Sequence, residues 1–203
     1  MFSSEYYSEI KAAFDRQMAL LEDRIQAAGQ QGEGLVPGLG RNFLLGKKEE
    51  ILGALGKCTQ QEAQALRFLY SAMPFSDLLD YPVDLFLAYA RHGVFLWNQG
   101  DFAGRVPEKI FANYVLHYRV NNEDIADVRK FFHDSILEAA GRQKGTMYEA
   151  AVEVNYWCAR EATYHASDGR TLGPLTLFRN VLGRCGEESP LGVTALRSVG
   201  IPA

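Results

Sequence analysis

Between Ser4 and Ala28 the apolar residues Tyr7, Ile10, Ala13, Phe14, Met18, Leu21 and Ile25 recur every three or four positions, the spacing of one face of an α-helix. Gly29 to Gly40 holds five glycines and a proline, so this helix is expected to stop in an exposed connection. A second helix is read over residues 47–56. A third runs from the N-cap Thr59 towards Met73, where Pro74 stops it. Ser76 and Asp77 read as a short turn. Pro82 then opens a helix over 83–98, whose Leu85, Phe86, Tyr89, Phe95, Leu96 and Trp97 make a broad apolar face suited to a central, largely buried position.

After a loop at 100–106, one helix is expected over 107–118. Another is capped by Asn121 or Asn122 and carries Ile125, Val128, Phe131, Phe132, Ile136 and Leu137 in helical period until Gly141. The charged, glycine-containing stretch 141–146 marks a change of organisation. It divides the chain into a multi-helical N-terminal domain, 1–144, and a second region, 145–203. In the second region 147–162 reads as an aromatic-rich helix, Thr163 to His165 as extended, Ser167 to Arg170 as a turn, and Pro174 as the start of a helix towards Leu182. Helical period dominates and strand alternation is almost absent, so the fold class is mainly α.

Composition narrows the function classes. The 203 residues are 47% hydrophobic, enough for one sizeable core or a core plus part of a second. Acidic residues number 25 against 21 basic, and the cations are scattered rather than gathered in one stripe, so no nucleic-acid partner is expected. Charges interrupt the apolar stretches, as Arg91 and His92 do, so no membrane span of about 20 residues is expected. The first residues carry no basic region followed by an apolar stretch, hence no signal-peptide pattern. Cys58, Cys158 and Cys185 are too few and too far apart for a disulfide framework or a metal knuckle, and read as free thiols with no cofactor expected.

The chemistry concentrates in Gly183-Arg184-Cys185-Gly186-Glu187-Glu188. The glycines leave room for close approach, and Arg184 and a helix N-terminus both favour a thiolate; Glu187 and Glu188 oppose it. Pro190 permits two arrangements: a helix starting at Cys185 with a local distortion, or one starting at Ser189 with Pro190 in its first turn. As an ordinary small apolar residue, Cys185 would instead be buried and inert.

This segment, with the closing Gly200-Ile201-Pro202-Ala203, resembles the nucleophile region of the transglutaminase-like superfamily, peptide N-glycanases included. The resemblance implies a helical front of a papain-like α+β core whose sheet is missing here. It implies thiolate attack by Cys185 on an amide or peptide carbonyl of a protein or peptide substrate, through an acyl-enzyme. It selects the helix start at Cys185, and it puts Trp157 forward as a donor to the oxyanion, beside the plain core role that its amphipathic helix offers. The family's histidine and aspartate follow the cysteine, so the expectation is the front part of such an enzyme, inactive by itself. Two other readings stay open: a non-catalytic helical binding or scaffold module, and a thiol hydrolase using the upstream His165. Leu191, Val193, Leu196, Val199 and Ile201 are expected to leave a half-covered apolar face on the last helix, which offers a surface for self-association.

Overall fold

The computed structural model describes residues 1–30, 39–142, 145–166 and 169–203. Most of the glycine-rich connection after Gly29, the centre of the break after Gly141, and Ser167 and Asp168 of the expected turn lie outside the described residues. The fold is mainly α. Two compact units are present, Met1–Ala90 and Arg91–Ala203.

In the first unit α1 (Ser4–Gln30) packs against α2 (Leu39–Lys57) and α3 (Gln60–Ser71). The periodic residues explain why: Tyr6, Ile10, Phe14, Leu21 and Ile25 are buried on one side of α1, and Ala65, Leu66, Phe68, Leu69 and Tyr70 are buried on α3. Thr59 starts α3 with a capping box, in which its hydroxyl accepts from the Glu62 N–H and the Glu62 carboxylate accepts from the Thr59 N–H. The second helix starts at Leu39, earlier than residue 47, because its lysines and glycines weaken the periodic signal without breaking the helix. The expected turn at Ser76 and Asp77 is a short helix, α4 (Phe75–Asp80), which buries Leu78 beyond Pro74. Next comes α5 (Val83–Gln99).

In the second unit α6 (Glu108–Phe111) runs into a π-helical segment, Ala112–Leu116, closed by the His117 N–H donating to the Ala112 carbonyl at 3.0 Å. The helix expected from Asn121 or Asn122 begins only at Arg129, as α7 (Arg129–Ala140). The caps are overridden by a buried carboxylate. Glu123 accepts from the N–H groups of Val120 and Asn121 at 2.9 and 2.6 Å, while the Arg119 guanidinium donates to the Asn121 and Glu123 carbonyls. The chain is thereby held in an irregular loop, with Asp124 ion-paired to Arg170.

The remaining elements are α8 (Met147–Glu161), started by a Thr146–Glu149 capping box, β1 (Thr163–Tyr164), α9 (Pro174–Asn180), β2 (Leu182–Gly183) and α10 (Cys185–Ser198). The two strands pair in parallel, Thr163 with Leu182 and Tyr164 with Gly183. Two residues are too few for an alternating pattern, which is why β2 was invisible in the sequence. The core gathers Phe132, Ile136, Val154, Trp157, Leu177, Leu191 and Ala195, with α10 packed on α7, α8 and α9.

The face of the last helix expected to be half-covered is covered within this unit. Leu191, Val199 and Ile201 are buried and Leu196 packs against the same core. Self-association therefore loses the exposed face on which it was based.

Candidate functional site

Cys185 is exposed and is the first residue of α10. Of the two arrangements that Pro190 allowed, the helix adopts the one that starts at the cysteine. Pro190 lacks the N–H that would bond the Gly186 carbonyl, and Gly186 is itself exposed, so water can satisfy that carbonyl. The Ser189 hydroxyl donates to the Cys185 carbonyl at 2.9 Å and supports the first turn.

Glu187 organises this turn. It is 0% exposed, although it is a carboxylate at a helix start beside an exposed thiol. One oxygen, Oε2, accepts from the Arg184 backbone N–H at 2.7 Å; the other, Oε1, accepts from the Arg184 guanidinium at 2.9 Å and from the Leu172 N–H at 3.0 Å. Arg184 has only donors on its side chain, so the glutamate half of a capping box forms without the reciprocal side-chain bond. Burial by itself would raise the Glu187 carboxyl, but the hydrogen bonds from Arg184 and Leu172 outweigh it and hold the group at about 2. The charge of Arg184 is thus engaged with Glu187, and the expectation that it serves the thiol is corrected accordingly. The spacing of Arg184 and Glu187, N-cap to N3, was the signal that could have revealed this.

The two glycines of the motif do different things. A Cβ on Gly183 would fall inside the Leu177 side chain and reach the Glu187 carboxylate at 3.0 Å, so Gly183 is needed for packing. A Cβ on Gly186 would meet nothing within 4 Å, so only Gly186 leaves open space next to the thiol. Just before β2, Val181 ends α9 with φ at 67°, a left-handed conformation that is costly for a β-branched residue. At the other end of α10, Gly200 takes φ 86° in a Schellman cap: the Ile201 N–H donates to the Leu196 carbonyl and the Gly200 N–H to the Arg197 carbonyl. The closing Gly-Ile-Pro-Ala is therefore a helix stop. It is fastened by the Ala203 N–H donating to the Tyr114 carbonyl at 3.0 Å and by the Arg197 guanidinium donating to the Ala203 oxygen.

Trp157, the other candidate, is 1% exposed. Its ring stacks on Phe178 at 5.8 Å and meets Phe132 edge-on at 5.3 Å. No hydrogen bond joins it to Cys185, and its surroundings are those of a core residue. Nor does any histidine bond the thiol among the described residues. His165 is exposed and pairs only its backbone N–H with the Gly183 carbonyl; His92 is buried on the Ser198 carbonyl; His117 lies near the carbonyl of Arg119; His133 meets Asp134. Cys158 is half-buried, and burial pushes its thiol up to about 12, which suits packing rather than chemistry. No group of metal-ligating side chains occurs among the described residues, and no described helix is long and apolar enough to cross a membrane.

No curated protein and no solved structure matches the chain. A family does match: residues 135–203, from within α7 to the segment after the Schellman cap, fit the family model of the transglutaminase-like superfamily, and this C-terminal part is similar to that superfamily.

Proposed function

We propose that this chain carries the nucleophile-bearing front of a transglutaminase-like cysteine enzyme that acts on amide or peptide carbonyls of a protein or peptide substrate. One observation supports the reading above others: within the segment similar to the superfamily, the thiol of Cys185 stands exposed at the first position of a helix. The first N–H groups of such a helix have no intrahelical acceptor and carry the positive end of its dipole, so those of Cys185 and Gly186 are suited to a developing oxyanion.

In this mechanism the Cys185 thiolate attacks the carbonyl carbon, a C–S bond forms and the C–N bond breaks. The amine leaves with a proton from a general acid, and water or a second amine then attacks the thioester and restores the thiolate. In the resemblance that acid is a histidine held by an orienting carboxylate, both of which follow the cysteine in the family's order. In this reading 145–203 belongs to the catalytic core and 1–144 is a helical domain before it. For Trp157 the packing favours the core role over oxyanion donation.

The covered face of α10 favours a second reading, a self-contained helical binding or scaffold module in which the thiol has no chemistry. Labelling decides between them. With iodoacetamide at neutral pH, resolved by peptide mass spectrometry, an activated Cys185 reacts at least about threefold faster in the folded chain than in urea, the scale of a helix-end interaction. Equal or slower reaction in the folded chain sinks the enzymatic reading.

A further inference from the structure

We propose that Glu187 is a positioning residue for the thiol: its buried carboxylate ties the turn before α9 to the β2–α10 junction and so fixes the first turn of α10, with Cys185 facing outward. The proposal rests on the reading of Cys185 as a nucleophile.

A carboxylate that only capped the helix could do so from the surface, as Glu62 and Glu149 do in the exposed starts of α3 and α8. Glu187 makes the same N3-to-N-cap bond from a fully buried position and adds a bond to Leu172, fifteen residues earlier in the chain. The space it occupies is kept open by Gly183, where any side chain would collide with Leu177 and crowd the carboxylate. Its charge is matched by Arg184, which sits between Gly183 and Cys185. Three contributions from the motif therefore converge on one carboxylate: Gly183 by space, the Arg184 backbone by a hydrogen bond and the Arg184 guanidinium by charge. Across this arrangement, β2 enters α10 without a free joint. The thiol is thus aimed by the connection that carries it, with the Ser189 hydroxyl bond to the Cys185 carbonyl supporting the same turn.

The test separates position from charge. Glu187→Asp keeps the charge but is one methylene shorter and cannot reach all three donors at once. In the full chain, folded and well below its melting temperature, Glu187→Asp is expected to lower the folded-over-unfolded labelling ratio of Cys185 by about threefold, with Cys58 unchanged as internal reference. Amide hydrogen exchange at Leu172 and Arg184 is expected to speed up in the same variant. An unchanged Cys185 ratio in Glu187→Asp overturns the proposal. So does the pattern of a bare charge effect, in which Glu187→Gln accelerates labelling while Glu187→Asp leaves it alone. Should Glu187→Asp fail to fold, Arg184→Lys keeps the cation and the backbone bond but loses the planar fork; the same direction of change supports positioning and no change overturns it. The enzymatic reading fails on the wild-type ratio alone, so the two failures are told apart.

Discussion

The two compact units bury their backbone in different ways. In Met1–Ala90 the helices α1 and α3 face each other with apolar side chains, and of the buried polar side chains Gln64 accepts from the Phe2 N–H and Lys47 donates to the Tyr81 carbonyl. In Arg91–Ala203 the buried set includes His92, Glu123, Arg129, Glu187 and Arg197. Arg129 donates to the Val115 and His117 carbonyls, Arg197 to those of His117 and Arg119, and Glu187 accepts from Arg184 and Leu172. The difference follows from backbone regularity. A regular α-helix satisfies its own N–H and C=O groups, so apolar packing is enough. The π-helical segment and the loop after it leave orphan groups inside the protein, which only buried polar side chains can satisfy. The candidate thiol sits in the second kind of region, where its geometry depends on long-range polar contacts.

The largest expected effect falls on packing. Trp157→Ala should cost about 3–5 kcal/mol in urea unfolding, and Leu21→Ala in the other unit about 2–5 kcal/mol, since both side chains are fully enclosed. A loss below about 1 kcal/mol for Trp157→Ala would contradict the core role assigned to this residue.

The next effect should appear in one unit only. Burial lowers His92 to about 4, against its bond to the Ser198 carbonyl, which raises it. In the unfolded chain the same group titrates near 6.5. Between these values the unfolded chain binds the proton and the folded one does not, so stability is full above about 6.5 and is lost as pH falls towards 4, by up to about 3 kcal/mol. Melting temperatures measured over that window should fall for the wild type and fall less for His92→Gln; identical slopes would refute the assignment.

The smallest effect should be the same in both units. Thr59→Ala and Thr146→Ala each remove an N-cap of the same geometry and should each cost about 1 kcal/mol by thermal unfolding. A marked difference between them would show that caps, too, depend on the region around them.

Much of the site was legible in the sequence, and what was missed has identifiable causes. Thr59 and Pro174 announced their helices because a cap or a first-turn proline acts within a few residues. The false cap at Asn121 or Asn122 fails because the Arg119 guanidinium holds the Asn121 and Glu123 carbonyls that a helix would use as acceptors, while the Glu123 carboxylate folds back onto the Val120 and Asn121 N–H groups. The motif around Cys185 located the thiol, but its arginine and glutamate were read as charges acting on sulfur, whereas they are bonded to each other.

What the sequence determined by itself is local: the mainly helical character, the capped helix starts, the stop at Gly200 and the likeness of the C-terminal part to the transglutaminase-like superfamily. These follow from periodicity and from hydrogen bonds that span three to five residues. Only the tertiary structure decided that the last helix is covered, that Trp157 lies inside an aromatic core, that two short strands pair, and that Glu187 is buried against Leu172. Each of those depends on partners brought together from distant parts of the chain, and neither periodicity nor spacing encodes which partners meet.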